Sequence, residues 1–130
     1  MKLTEENYVG LAENVILELC KKQDKRGKSI PPVTTSKIRN LLALTADLYQ
    51  EVVNYQGETL PAEFLGRINY IKIRFVYESG RETKVKDLVK TAQILEHLEE
   101  IKNSRSQYIL FSRYMEALVA YRKYYGGRDE

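Results

Sequence analysis

The chain has 130 residues, 43% hydrophobic and 30% charged, a balance that excludes wholesale disorder and suffices for one domain, 1–130, with its own core. No run approaches about 18 consecutive apolar residues, so no membrane span or membrane partner is expected, and the opening MKLTEENY lacks a signal-peptide layout, which makes a cytoplasmic location the expectation. The formal net charge of +3 is mild, but its distribution is uneven: seven cations face the single Asp24 between Lys21 and Asn40, and seven more face Glu78, Glu82 and Asp87 between Arg67 and Lys90.

The first helix is expected from Thr4, an N-cap followed by Glu5 and Glu6, which suit the positive end of the helix dipole, to about Cys20. KKQDKRGKSIPP then carries charge, Gly27 and two prolines without an apolar period, and reads as a mobile loop over about 21–34. A second helix begins in TTSKIRN, capped by Thr34 or Thr35, and runs to about Asn54. Its apolar residues Ile38, Leu41, Leu42, Leu48, Tyr49 and Val52 share one face with Thr45 in the middle. Leu44 is the exception, placed on the polar side among Lys37, Asn40, Asp47 and Glu51, as an exposed contact for a partner would be.

A loop over about 55–62 leads into INYIKIRFVYESGR. IKIRF alternates like a strand, but Phe64, Ile68, Ile71 and Phe75 recur at helical spacing and no hairpin partner flanks them, so helix is preferred. After a break at Gly80, Thr83 is expected to cap a fourth helix to about Lys102, with Val85, Leu88, Ala92, Leu95 and Leu98 inward. Ser104 and Gln107 form a capping box for the last helix, which stops at Gly126-Gly127. That helix is apolar nearly all round, apart from a strip of Ser112, Arg113, Glu116 and Lys123, and such a helix belongs in the middle of a bundle. The expected fold is all-α, about five helices around a central carboxy-terminal one.

Nothing in the sequence assembles a nucleophile with a base, a tuned pair of carboxylates, a metal cluster or a cofactor motif, so no catalytic activity, metal or cofactor is expected. Cys20, the one cysteine, reads as a small buried thiol. His97, the one histidine, falls opposite Leu88 on the fourth helix and reads as solvated. The informative feature is a row of cations. Arg67, Arg74 and Arg81 are seven residues apart, drifting only about 20° per step on an α-helix, with Tyr70 and Tyr77 in an adjoining strip. Arginine offers a planar, permanently charged fork for phosphate, and a tyrosine face takes a base or sugar. Glu78, four residues after Arg74 and three before Arg81, supports the opposite reading of a salt-bridged solvent face. Lys72 points into an apolar arc near Leu65 and Val76 and requires an acidic partner or an outward bend. Lys37 and Arg39 lie at the start of the second helix, where free N–H groups favour an anion. Leu44 with the tyrosine-rich final turn, Tyr121, Tyr124 and Tyr125, would instead be the contact of a helical protein–protein adaptor that touches no nucleic acid.

The ordered blocks LTEENYV, TTSKIRNLLALTADLY, YIKIRFVYESGR and YILFSRYMEALVAYRKYYGG are similar to the small helical subunit of type III-A CRISPR effector complexes, the second subunit in the Csm naming. The resemblance covers most of the chain outside the loops at 21–32 and 56–62. It implies an all-helical, non-catalytic subunit in antiviral defence. Several copies would stack alongside other Csm subunits and contact crRNA and target RNA through their backbone without sequence preference. Carried over by position, Lys37, Arg39, Arg67, Arg74 and Arg81 are the implied RNA contacts, with Lys72 beside them.

Overall fold

The structure, a computed structural model, describes residues 2–126. Six helices are found among them: α1 (Tyr8–Cys20), α2 (Thr35–Asn54), α3 (Ala62–Arg81), α4 (Thr83–Thr91), α5 (Ile94–Ile101) and α6 (Arg105–Tyr124). The fold is all-α, and α6 is its centre, packed against α1, α2 and α5, while α3 closes over α4, α2 and α5. Tyr108, Phe111, Tyr114, Met115 and Leu118 of α6 are buried to within 1% of complete, as expected for a helix apolar on most of its circumference. Phe111 meets Phe75 of α3 edge to face at 6.4 Å, the arrangement favoured by the ring quadrupoles. Tyr108 and Tyr114 donate their hydroxyls to the backbone carbonyls of Thr45 and Ala92 at 2.9 Å each, so neither buried phenol lacks a partner, and burial pushes both phenols up from their ordinary range.

Local chemistry sets the helix ends. Thr34 accepts from Lys37 N and Ser104 from Gln107 N, the side-chain bonds that relieve orphan N–H groups in a first turn. Thr4 and Asn7 exchange reciprocal bonds one turn ahead of α1. The strand alternative for IKIRF is settled in favour of helix, because Phe64, Ile68, Ile71 and Phe75 form the buried face of α3.

Several expectations are corrected. The expected fourth helix is two helices, α4 and α5, divided at Gln93, which adopts a left-handed conformation (φ 54°, ψ 42°). The turn at Ala92 and Gln93 resets the helical phase. His97 accordingly faces inward, 3% exposed, with its Nδ1 2.8 Å from Glu100 Oε1 and its ring edge-on to Tyr114. The break expected at Gly80 falls at Glu82, which is extended. The chain between α1 and α2 is a loop that contains a tight turn, in which Asp24 Oδ1 accepts from the N–H groups of Arg26 and Lys28 and Gly27 takes a positive φ of 80°. Leu44 is half-buried against the core, Ser112 is buried rather than part of a polar strip, and Cys20 is half-buried. The end of the last helix at Gly126-Gly127 lies partly outside the described residues; Gly126 has φ 91°.

Candidate nucleic-acid interface

The outer surface of α3 carries the cations singled out in the sequence, and each of those on α3 has a carboxylate partner. Arg67 pairs with Glu51 of α2 and Lys72 with Glu99 of α5. Both are one-to-one pairs that neutralise the cation, and the Lys72 ammonium holds the Glu99 carboxyl below its ordinary range. Lys72 thereby finds its acidic partner, although Val76 beside it is 51% exposed and not part of an inward arc. Arg74 and Arg81 differ from these. Both reach the same carboxylate, Glu78, at 3.4 Å each. The Glu78 side chain is 11% exposed, against 38% and 56% for the two arginines. Two guanidiniums thus share one anion. The cluster keeps a net positive charge, and most of the five N–H donors on each arginine are unused by Glu78.

Tyr77 lies between them, with the Arg74 and Arg81 guanidinium carbons 5.5 and 5.8 Å from its ring centroid, within cation–π range. Tyr70, Ile73, Val76 and Tyr77 are all more than half exposed and continue the same outward face.

The structure also joins this row to the start of α2. Lys37 Nζ lies 3.4 Å from Glu82 Oε2, at the residue that follows Arg81. An open cleft of about 640 Å³ forms there between the first turns of α2 and α4, lined by Thr34, Ser36, Lys37, Asn40, Glu82, Thr83 and Lys84. Lys84 is a cation of this surface that helical-wheel reasoning misses, because it lies on a different helix from the arginine row. Arg39 is exposed on α2. Of the alternative contact residues, Leu44 and Tyr121 are half-buried, whereas Tyr124 is 76% exposed. Tyr125, against which Tyr121 and Tyr124 both pack, donates to Glu13 Oε2 at 2.6 Å and is pushed up to about 12 by that bond.

Among the described residues no group of His, Cys, Asp and Glu is placed to hold a metal ion, and no helix is long and apolar enough to cross a membrane. Residues 13–128 match the family model described as Csm2 Type III-A. The chain belongs to that Csm2 family. It is 46% identical over 127 residues, 98% of each chain, to the CRISPR system Cms protein Csm2 of Streptococcus thermophilus. It is 44% identical over 130 residues, the whole of each chain, to the protein of the same name in Mycobacterium tuberculosis. Identity with the Enterococcus italicus protein is 33% over 123 residues, covering 90% of this chain and 88% of that one. The family match takes in every helix except the first turns of α1, so the Csm2 relationship concerns the fold as a whole.

Proposed function

We propose that this chain is a non-catalytic structural subunit of the Csm effector complex, placed among the other Csm subunits, with several copies aligned along the guide and its target RNA in the cytoplasm. Its role is to hold the RNA backbone without reading sequence, since pairing with the guide supplies specificity and the protein need only follow backbone shape. The observation that carries this reading is the Arg74–Glu78–Arg81 cluster, whose two arginines share a single acid. Lys84 extends the same charge toward α4 and Arg39 adds a cation on α2, while Lys37, Arg67 and Lys72 contribute only by exchanging their carboxylate partners for phosphate. Each copy reaches few phosphates, so tight holding comes from repetition along the duplex.

The test uses the assembled complex. A triple variant, Arg74→Ala, Arg81→Ala and Glu78→Gln, is expected to assemble and to bind target RNA more weakly. Its plot of log affinity against log salt should be shallower, by about 0.9 for each duplex phosphate that the variant no longer neutralises. Glu78→Gln alone removes the competing anion and should strengthen binding. Unchanged RNA affinity in the triple variant would instead favour the adaptor reading, for which Tyr124 is the exposed contact.

A further inference from the structure

The outer face of α3 is more apolar than backbone contact requires. Of the large hydrophobic residues exposed among the described residues, four lie together on this one helix: Tyr70, Ile73, Val76 and Tyr77, at 61, 61, 51 and 55%. The fold does not use them, since the buried side of α3 is built by Phe64, Ile68, Ile71 and Phe75. Gly66 precedes Tyr70 by one helical turn and Gly80 follows Tyr77 by nearly one. Neither has a positive φ, and a Cβ added at either meets nothing within 4 Å. Glycine is therefore not demanded by the backbone or by packing at these positions, although it weakens a helix. The result is bare helix surface beside each exposed ring.

We infer that Tyr77, and Tyr70 one heptad before it, stack unpaired nucleobases, so that this face binds a single-stranded RNA segment by its bases as well as its phosphates. The inference rests on the RNA reading of the Arg74–Arg81 cluster and extends it to unpaired stretches of that RNA, since bases paired in the guide–target duplex are not free to stack on a side chain. A single-stranded polynucleotide satisfies both halves of the surface at once. Its phosphates answer the excess positive charge that Glu78 leaves uncancelled, and its flat bases cover tyrosine rings, whose π faces accept every base with little sequence preference. A protein covering the same strip would have to bury Arg74 and Arg81 against one shared carboxylate, which is costly unless it brings acids of its own. The two tyrosines are about 10.5 Å apart along the helix at 1.5 Å per residue. That is about three steps of 3.4 Å in a regular stack, so the rings engage separate nucleotides rather than neighbours in one stack.

The experiment compares two fluorescein-labelled strands of 15 units, oligouridylate and an abasic strand with the same number of phosphates, binding to the full chain at low salt. The unmodified chain is expected to bind oligouridylate at least about thirtyfold more tightly than the abasic strand, the order expected for two stacked bases. Tyr70→Leu with Tyr77→Leu should abolish the difference between the two strands, whatever loss of the Tyr77 ring beside Arg74 and Arg81 does to both alike. Both residues are exposed, and unchanged far-ultraviolet circular dichroism would confirm that the variant is folded. The triple variant Arg74→Ala, Arg81→Ala and Glu78→Gln should weaken both strands alike. Equal binding of the two strands by the unmodified chain would overturn base stacking while leaving phosphate contact intact. Failure of both strands to bind at millimolar protein would remove both. Loss of assembly into the complex by the tyrosine variant, with its oligouridylate binding unchanged, would overturn the inference and make this face a protein-docking surface.

Discussion

Glu58 illustrates how much a single exposed residue does in this fold. It lies in the loop between α2 and α3, yet its carboxylate accepts from Ser104 Oγ at 2.6 Å, Ser106 Oγ at 2.7 Å and Ser106 N at 3.2 Å. Its own carbonyl accepts from Arg105 N at 2.8 Å. Arg105 in turn donates to the carbonyls of Val52 and Val53 at the end of α2. The anion thus caps the positive end of α6 from 46 residues away in sequence, the favourable position for a negative charge on a helix. The hydrogen bonds from Ser104 and Ser106 hold its carboxyl below the ordinary range near 4.5. A carboxyl depressed in the folded state contributes stability above its unfolded pKa and loses it as the pH falls through the folded value. Glu58→Gln keeps an oxygen that can accept from the serines and loses only an exposed charge, so it is expected to cost about 0.5 kcal/mol at pH 7, or roughly 2 °C in melting temperature for a domain of this size. The difference between the two proteins should shrink steadily below pH 4.5. Thermal melts of both at pH 7 and pH 3 measure it, and an equal gap at both would discount the charge.

The break between α4 and α5 shows the element scale. Nothing near Gln93 in the sequence announces it, since Thr91, Ala92 and Gln93 include no glycine or proline. The cause is tertiary. Ala92 N closes onto Leu88 O, and the Ala92 carbonyl is taken by the Tyr114 hydroxyl of α6. The chain must turn at once for Ile94, Leu98 and Ile101 to reach the core. A wheel drawn through an unbroken helix consequently puts His97 on the wrong side, whereas α2 and α3, each a regular 20-residue helix, show the buried residues of their inward faces because their period is uninterrupted, Leu44 and Val76 at the margins being the exceptions. The left-handed residue gives a direct test. A non-glycine side chain there costs roughly 1 kcal/mol, so Gln93→Gly is expected to stabilise by about 0.5 kcal/mol after the extra unfolded-state freedom is subtracted. Gln93→Val, β-branched, should destabilise by at least about 1 kcal/mol. Urea denaturation of the two variants beside the parent decides it, and destabilisation by glycine would show that the Gln93 side chain, not its backbone, matters.

For the molecule as a whole, the arginine row is legible because seven-residue spacing places side chains on one stripe whatever packs beneath. The choice among its members is not, since it depends on carboxylates from other helices. Glu51 neutralises Arg67, Glu99 neutralises Lys72, and only Arg74 and Arg81 share one acid. The same sharing ties the binding surface to stability. Glu78 is 8% exposed, at the edge of the face that α3 turns to the core. Removing both arginines leaves a largely buried carboxylate with no cation, and an unpaired buried charge costs more than a neutral polar group. Arg74→Ala with Arg81→Ala is therefore expected to lower stability by about 2 kcal/mol, or roughly 8 °C in melting temperature. Adding Glu78→Gln should recover most of that loss, because the amide no longer carries the charge. RNA affinity should not recover with it, since the donors for phosphate remain absent. Melting curves and target-RNA titrations of the double and triple variants separate the two effects. If the third substitution restored RNA binding along with stability, the arginines would be acting through the fold and not at the RNA.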